Sequence, residues 1–227
     1  MYFCKCCNER TNILFHGFCK DCFEAVSGGE KKVRERPILF STEMVEAILE
    51  GRKTQTRRIV KGVALDWLAP NMFMPEYVAS KGNNLCPYGY ENDILWVRET
   101  WRLTDFLHPS DENYGYIYKA SENGKEWESN CEEWYWKPSI FMPKEACRLR
   151  LKIKSIRIER LQEISEKDAI AEGIELIGNR YKQYLRTRLD ETVENPIYSY
   201  MTLWESINGI GSWEKNPYVW VIEFERA

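Results

Sequence analysis

A basic turn between positions 51 and 61 contains the side chains best suited to chemistry. Its cations lower the pKa of a neighbouring lysine by repulsion, and desolvation in a cleft would act in the same direction, which makes Lys53 a candidate neutral base. Thr56 is the hydroxyl such a base could activate if the backbone turns, because an offset of three in a straight strand separates two side chains. The alternative is a solvated basic loop. The cations are Arg52, Lys53, Arg57, Arg58 and Lys61.

The rest of the chain offers little material for other kinds of catalysis. Its 2 histidines are His16, among the N-terminal cysteines, and His108, in a polar loop, so a histidine-based triad is not expected. No GxxxxGK(S/T) or GxGxxG segment occurs, which argues against nucleotide hydrolysis through a phosphate loop.

The cysteines predict a metal site at the N-terminus. Of the 8 cysteines, two pairs with CxxC spacing lie among the first 22 residues, and no export signal is recognised, so reduced thiols are expected. Four thiolates suit a tetrahedral structural Zn²⁺ and leave no coordination position for water. Cys6 or His16 could replace one ligand, and a reduced, metal-free N-terminus is the alternative. The predicted ligands are Cys4, Cys7, Cys19 and Cys22.

Length and composition indicate a folded chain in three segments. The 227 residues are 44% hydrophobic and 30% charged, with a net charge of −3, which excludes retention on nucleic acid by bulk charge but allows a local basic cleft. No apolar run reaches the roughly 18 residues of a membrane span, so a cytoplasmic protein is expected. We predict a zinc-knuckle module over residues 1–26, a polar linker over 27–36 and one domain over 37–227.

Several elements of that domain are recognisable. A helix with Thr42 as N-cap is expected to end at Gly51. A second helix is capped by Ser165 and closes at Glu172-Gly173, and a third begins at Asn195-Pro196.

Strands are predicted over residues 94–98, 147–161 and 218–224. In the second, apolar and cationic residues alternate until the phase slips after Ser155, which predicts a bulge or bend. The cationic residues Arg148, Arg150, Lys152 and Lys154 form one face, either the solvent side or a nucleic-acid track. Strands with a few helices indicate an α+β fold built on a small curled sheet or barrel.

An aromatic cluster near position 130 has two interpretations. These side chains could stack on bases, as single-strand binders do, or they could close the mouth of a barrel. Acidic neighbours favour packing over contact with phosphate. The cluster consists of Trp127, Trp134, Tyr135 and Trp136.

The order of several segments resembles phage and prophage members of the ASCH family, a branch of the PUA-like barrels with flanking helices. The similarity covers nearly all of residues 36–226 and includes a G-x-K-x-x-(E or T)-x-R turn, matched by Gly51, Lys53, Thr56 and Arg58. Other matching segments are Asp93-Ile94-Leu95-Trp96-Val97-Arg98, Pro138-Ser139-Ile140-Phe141-Met142-Pro143 and Asn216-Pro217-Tyr218-Val219-Trp220.

The resemblance implies roles for individual residues. The chain shares the threonine variant of the turn with small bacterial enzymes that hydrolyse N4-acetylcytidine. By similarity to them, Thr56 is the nucleophile, Lys53 the base and Glu172 the proton donor, with no catalytic cofactor. Arg52 and Arg58 are the expected substrate-binding residues, although Arg58 could equally pair with an acidic side chain.

Three functions are compatible with these features. The first is a hydrolase acting on a modified nucleoside or nucleic acid, in particular on an N4-acylcytidine amide. The second is a non-catalytic RNA- or DNA-binding module, in which the basic turn and the zinc knuckle both contact a backbone. The third is a ribonuclease, an activity found among members of the family. A bacterial host cell is the expected location.

Overall fold

The chain divides into two compact units. This computed structural model describes residues 33–69, 72–103, 115–121, 136–185 and 192–227, together with the backbone of residues 2–3 and 10–11. Met1–Arg34 form the first unit and Glu35–Ala227 the second. In the first unit, strands β1 (Tyr2–Phe3) and β2 (Arg10–Thr11) pair antiparallel. The predicted zinc ligands and the aromatic residues Trp127, Trp134 and Tyr135 lie outside the described residues.

The second unit mixes helices and strands. Its described helices are α1 (Thr42–Leu49), α2 (Val63–Leu68), α3 (Pro75–Ala79), α4 (Glu166–Ala171) and α5 (Pro196–Asn208). Its described strands are β3 (Glu35–Leu39), β4 (Gln55–Ile59), β5 (Ile94–Arg98), β6 (Trp101–Leu103), β7 (Tyr116–Tyr118), β8 (Arg150–Arg160), β9 (Leu176–Ile177), β10 (Arg180–Lys182), β11 (Thr192–Val193) and β12 (Tyr218–Arg226). Residues 35 and 36, which were assigned to the linker, begin β3.

A five-stranded sheet is the centre of this unit. Its strand order is β3-β5-β8-β12-β4, with β3 and β5 parallel and the remaining pairs antiparallel. The two edge strands approach each other, because Arg58 of β4 donates a hydrogen bond to the Leu39 carbonyl of β3 at 2.6 Å. Among the described residues no strand ladder joins these edges, so the sheet is curled without being a closed barrel.

Apolar side chains pack on both faces of the sheet around β12. On one face Trp220 and Ile222 of β12 pack in a large cluster with α1 and the segment around α3. On the other face Val219 and Val221 pack against α5 and the start of α4. Because neighbouring residues of a strand point to opposite faces, successive residues of β4 enter different layers.

The predicted helix ends are confirmed, except that the N-cap of the first helix lies one residue earlier than predicted. The Ser165 hydroxyl accepts from the Asp168 amide, and Asn195 caps α5 through Oδ1. The first helix is capped by Ser41 rather than Thr42, since the Ser41 hydroxyl accepts from the Met44 amide and Thr42 is already helical. Adjacent hydroxyl residues compete for the same position, and only the backbone conformation of Ser41 is extended, as a cap requires.

The irregularity predicted in the long strand is confirmed. Glu223 pairs with Ser155 and Phe224 with Ile153, so Lys154 is an extra residue in β8 at a bulge. Leu151 and Ile153 are completely buried, and their cationic neighbours are on the opposite, more accessible face. Alternation along β8 therefore identified the buried side correctly.

The mixed α+β architecture is as predicted, whereas the PUA-like assignment stays a prediction. None of the helices in the described part of the chain has the length and apolar character needed to cross a membrane.

Candidate active site

The basic turn is folded into the domain and is not a solvated loop. Gly51 follows α1 with φ of 78°, a conformation that glycine adopts without strain. The Lys53 amide then bonds the Ala47 carbonyl at 3.0 Å, and the Thr54 amide bonds the Ala171 carbonyl at 2.9 Å. The backbone of the turn is therefore held between α1 and the end of α4.

Lys53 and Glu172 form an ion pair that is almost inaccessible to solvent. Lys53 Nζ lies 2.9 Å from Glu172 Oε2 and 2.7 Å from the Glu172 carbonyl oxygen, and the side chains are 0% and 4% exposed. Desolvation lowers the pKa of Lys53, and the Glu172 charge offsets only part of that effect. Burial thus brings the amine closer to the neutral form that a general base needs.

The nearby arginines contribute less to this shift than the sequence suggested. Arg58 and Arg57 also lower the Lys53 pKa, but they rank below desolvation among its causes. Crowding of charge was visible along the chain, whereas burial of the amine depended on the tertiary fold.

A glycine allows the lysine and the glutamate to approach. Glu172 is the C-cap of α4 and forms an isolated antiparallel bridge with Lys53. Gly173 follows with φ of 88°, and a Cβ at this position would lie 2.7 Å from Lys53 Cβ. No larger residue fits this close contact without displacement of its neighbours.

Arg57 is a second cation on the same carboxylate, and sequence reasoning assigned it no role. Arg57 Nη1 lies 3.0 Å from Glu172 Oε1, while the same guanidinium also bonds Glu159 and Asp168. Its side chain is 0% exposed. Desolvation opposes the charge of Arg57, but the carboxylates outweigh it and raise the pKa of Arg57. Each oxygen of Glu172 therefore accepts a hydrogen bond from a different cation.

Thr56 and Arg58 project from the other face of β4. Thr56 is paired with Ile222 and Arg58 with Trp220, so their side chains belong to the layer that contains those apolar residues. Thr56 is 2% exposed. Arg58 stacks over the Phe40 ring at 5.2 Å, and Lys53 Nζ lies 5.8 Å from the same ring. The turn thus places Lys53, Thr56 and Arg58 in one region, although Lys53 and Thr56 are three residues apart along the chain.

A partly open hollow lies between β4 and α5. We call it the inner cavity; its volume is about 70 Å³. The residues that line it are Met44, Thr56, Arg57, Arg58, Ile59, Glu172, Tyr200, Leu203, Trp204, Ile207 and Asn208. Thr56, the predicted nucleophile, and Glu172, the predicted acid, are among these residues.

A wider hollow adjoins the inner cavity. This outer cleft has a volume of about 280 Å³ and shares Met44, Glu172 and Leu203 with the inner cavity. Arg52 lines it and is partly exposed, with hydrogen bonds to Glu50 and to the Gly173 carbonyl. Glu172 therefore contributes to the walls of both spaces.

Lys53 borders a third hollow. This rear cleft, about 520 Å³ in volume, is lined by Lys53 and Gln55 and by exposed residues such as Lys154 and Lys167. Lys53 is absent from the lining of the inner cavity, and no hydrogen bond joins it to Thr56 in the described part of the chain. The enclosed amine thus lies behind Glu172 and not on the cavity surface.

The structure brings the five predicted residues of the turn and α4 into one neighbourhood. It adds Arg57, which the sequence analysis counted only among the crowded cations, and the aromatic residues Tyr200 and Trp204, to which it gave no functional role. No local pattern marks Tyr200 or Trp204, because core and cavity-lining residues share the same helical spacing.

Within the described ranges, no group of His, Cys, Asp and Glu side chains is arranged to hold a metal ion. Comparisons with protein-family models, with curated proteins and with solved structures gave no match.

Proposed function

We propose that the protein is a hydrolase that cleaves the N4-acyl amide of a modified cytidine, free or within a nucleic acid. The observation that carries this proposal is the buried Lys53–Glu172 pair, whose carboxylate lines the inner cavity together with Thr56. A base, an alcohol and an acid are the three groups that acyl transfer from an amide requires. The ASCH-like, PUA-type resemblance of the sequence supports the same assignment.

The pair can supply both the base and the acid from one shared proton. Desolvation lowers the pKa of Lys53, and in the proposed reaction the Lys53 proton passes to Glu172 along the 2.9 Å hydrogen bond between Nζ and Oε2, which leaves a neutral amine. When Glu172 turns its proton to the substrate, Lys53 loses that partner and becomes free to bond Thr56.

The first half of the reaction forms an acyl-enzyme. The neutral Lys53 amine removes the Thr56 hydroxyl proton, and the oxygen attacks the amide carbonyl carbon to form a C–O bond. As the C–N bond breaks, Glu172 protonates the departing amine. The state that follows holds an ammonium at Lys53 and a carboxylate at Glu172.

The second half restores the starting state. Glu172 takes a proton from water, the resulting hydroxide attacks the acyl carbon, and the C–O bond to Thr56 breaks. Lys53 returns its proton to the Thr56 oxygen. The products are one carboxylic acid and one amine, and both protein groups regain their initial protonation.

Turnover of N4-acetylcytidine tests this proposal directly. The purified chain is expected to release acetate and cytidine, and Lys53→Ala is expected to lower the rate by about 10²–10⁴, the usual contribution of a positioned base. Thr56→Val removes the attacking hydroxyl at nearly constant volume and should abolish turnover. Thr54→Val, at the exposed neighbour on the same turn, is the matched control and should retain it.

Two results would overturn the proposal: absence of turnover by the unaltered protein, or equal turnover by Lys53→Ala. Thermal unfolding of each variant separates loss of chemistry from loss of fold.

Nucleic-acid binding without catalysis is the second candidate, and the outer face of the sheet favours it. Trp96 pairs with Arg150 and Ile94 with Lys152, so an aromatic ring and cations lie side by side on the face opposite the core. This function predicts binding that weakens steeply with salt and is unchanged in Thr56→Val.

A further inference from the structure

A patch of exposed apolar side chains lies on α2, on α3 and on the chain between them. Its centre is a group of three aromatic rings, Trp67, Phe73 and Tyr77, whose centroids are 5.0 to 6.3 Å apart. The Phe73 amide bonds the Trp67 carbonyl at 3.0 Å, which holds the connecting chain against α2. We call this surface the aromatic patch, and its members are Val63, Trp67, Met72, Phe73, Met74 and Tyr77.

The aromatic patch is large for a surface in contact with water. Met74 is 70% exposed and Tyr77 51%, whereas Trp67 is partly buried beneath its neighbours. Five of the side chains, of about 150–200 Å² each, are exposed by roughly half, which leaves roughly 500 Å² of largely apolar surface. The largest such patch on a typical monomer is about 300–600 Å² and is often functional. The size of the aromatic patch therefore indicates contact with another molecule.

Charges of both signs, in equal number, accompany the aromatic patch. Asp66 and Glu76 are direct chain neighbours of patch residues, while Lys61 and Lys81 lie two and four positions beyond its ends. All four side chains are exposed, and within the described ranges none of them forms an ion pair. Contact with nucleic acid or with an anionic lipid surface requires an excess of cations, which this balance does not provide.

We propose that the aromatic patch is the docking surface for a second copy of this chain, which makes the protein a two-fold symmetric dimer. In such a dimer the same surface of each copy faces the other, so an apolar centre meets an apolar centre and a cation can face a carboxylate. Unpaired charges of both signs satisfy this requirement, whereas charges of one sign would repel their own copy. The net charge of −3 per chain adds little repulsion between whole copies.

The residue types of the aromatic patch suit a protein interface. Aromatic residues and methionine are enriched in interface centres, and the flexible thioethers of Met72 and Met74 can adapt to an opposing surface. Together with the accompanying charged side chains, the patch approaches the roughly 800 Å² that each partner contributes to a standard interface. None of these described residues lines the inner cavity, so the inference is independent of the proposed function.

Sedimentation velocity of the full chain in reducing buffer, which excludes disulfide-linked dimers, tests the inference. We expect the mass to rise from that of one chain, 27.0 kDa, to twice that value between about 1 and 100 µM protein. Met74→Lys places a charge in the patch and should raise the dissociation constant of the dimer at least about tenfold. Ile210→Lys is the control, because Ile210 is an exposed isoleucine outside the patch, and it should leave that constant unchanged.

Exchange of the accompanying charges distinguishes a second copy from any other partner. Lys61→Glu with Lys81→Glu gives a patch accompanied by carboxylates only, and Asp66→Lys with Glu76→Lys gives one accompanied by cations only. Each double variant alone should be monomeric at concentrations where the unaltered chain is dimeric, whereas an equimolar mixture of the two should form a mixed dimer. The substituted side chains are exposed, so the fold should be retained, and thermal unfolding checks this.

Three results would overturn the inference: the mass of a single chain at every concentration, a dimer that survives in Met74→Lys and in both charge variants, or equal weakening by Ile210→Lys. A mixture of the charge variants that stays monomeric would contradict the two-fold arrangement. Binding of a different protein by a chain that remains monomeric would assign the aromatic patch to that partner and would also overturn the inference.

Discussion

Glu172 binds two buried cations through a single carboxylate. One oxygen accepts from Lys53 and the other from Arg57, although Lys53 and Arg57 are four residues apart along the chain. Removing either cation would leave buried charge without its partner, which is costlier than loss of an exposed ion pair. The pair and the arginine therefore act as one electrostatic unit in which protonation of one member affects the others.

The pH dependence of activity is a prediction at this scale. Desolvation lowers the pKa of Lys53, so the neutral amine forms at a pH below that of a free lysine, about 10.4. We expect kcat/KM for N4-acetylcytidine to rise with pH and to level off clearly below that value. The free energy of unfolding should also rise with pH in the range between the lowered pKa of folded Lys53 and the pKa of a free lysine. In that range the unfolded chain binds a proton at this lysine that the folded protein has released.

Stopped assays across the pH range, with thermal unfolding at each pH, provide the measurement. Lys53→Arg is the control, because a guanidinium keeps its charge and should be inactive at every pH. A rate that still rises at the pKa of a free lysine would contradict the assignment of Lys53 as a desolvated base.

Short connections, rather than the regular elements, determine the geometry of the site. The turn after α1 bonds the end of α4 through Thr54 and Ala171, and Gly173 permits the closest approach. The ends of these helices were predictable, because Ser165 and Gly51 act through their own local backbone. Which helix end would meet which turn was not, since no local interaction connects residues about 120 positions apart.

Gly173→Ala is expected to disturb the site and Gly178→Ala is its matched control. Both glycines have positive φ, so alanine costs each about 1–2 kcal/mol of backbone strain. Only Gly173 has a neighbour within 3 Å, at 2.7 Å from Lys53 Cβ, whereas nothing lies within 4 Å of a Cβ at Gly178.

Thermal unfolding and hydrolysis of N4-acetylcytidine measure the two effects. Gly173→Ala should be the less stable variant and should lose activity through displacement of Lys53, while Gly178→Ala retains it. Equal stability and activity of the two variants would contradict the close packing of Gly173 against Lys53.

At the scale of the second unit, the edge strand β4 of the five-stranded sheet borders the inner cavity. Because β4 is an edge strand, its outer side is free to border α5 instead of another strand. Arg58 spans the gap to β3 with a side-chain hydrogen bond.

The N-terminal cysteines carry a prediction of their own. We expect one zinc ion per chain, held by Cys4, Cys7, Cys19 and Cys22, and lost in a Cys7→Ser, Cys22→Ser double variant. Cys86→Ser is the control, because Cys86 is a buried free thiol of the second unit. Elemental analysis of purified protein measures the ion. Hydrolysis should persist after chelation, because a four-thiolate site has no open coordination position for catalysis. A purified, unaltered protein without zinc would contradict the predicted zinc-knuckle module.

The sequence by itself determined the capped ends of three helices to within a residue and the positions of β5, β8 and β12 to within about three residues, together with the buried side of β8 and the basic turn. Local backbone preferences, capping side chains and apolar periodicity act over a few residues, so they are readable along the chain. Only the tertiary structure decided that Arg57 binds Glu172 and that Tyr200 and Trp204 border a cavity. It also decided that burial, more than neighbouring charge, lowers the Lys53 pKa. Those features depend on which distant surfaces exclude water together, and that is a property of the assembled sheet and helices rather than of any segment.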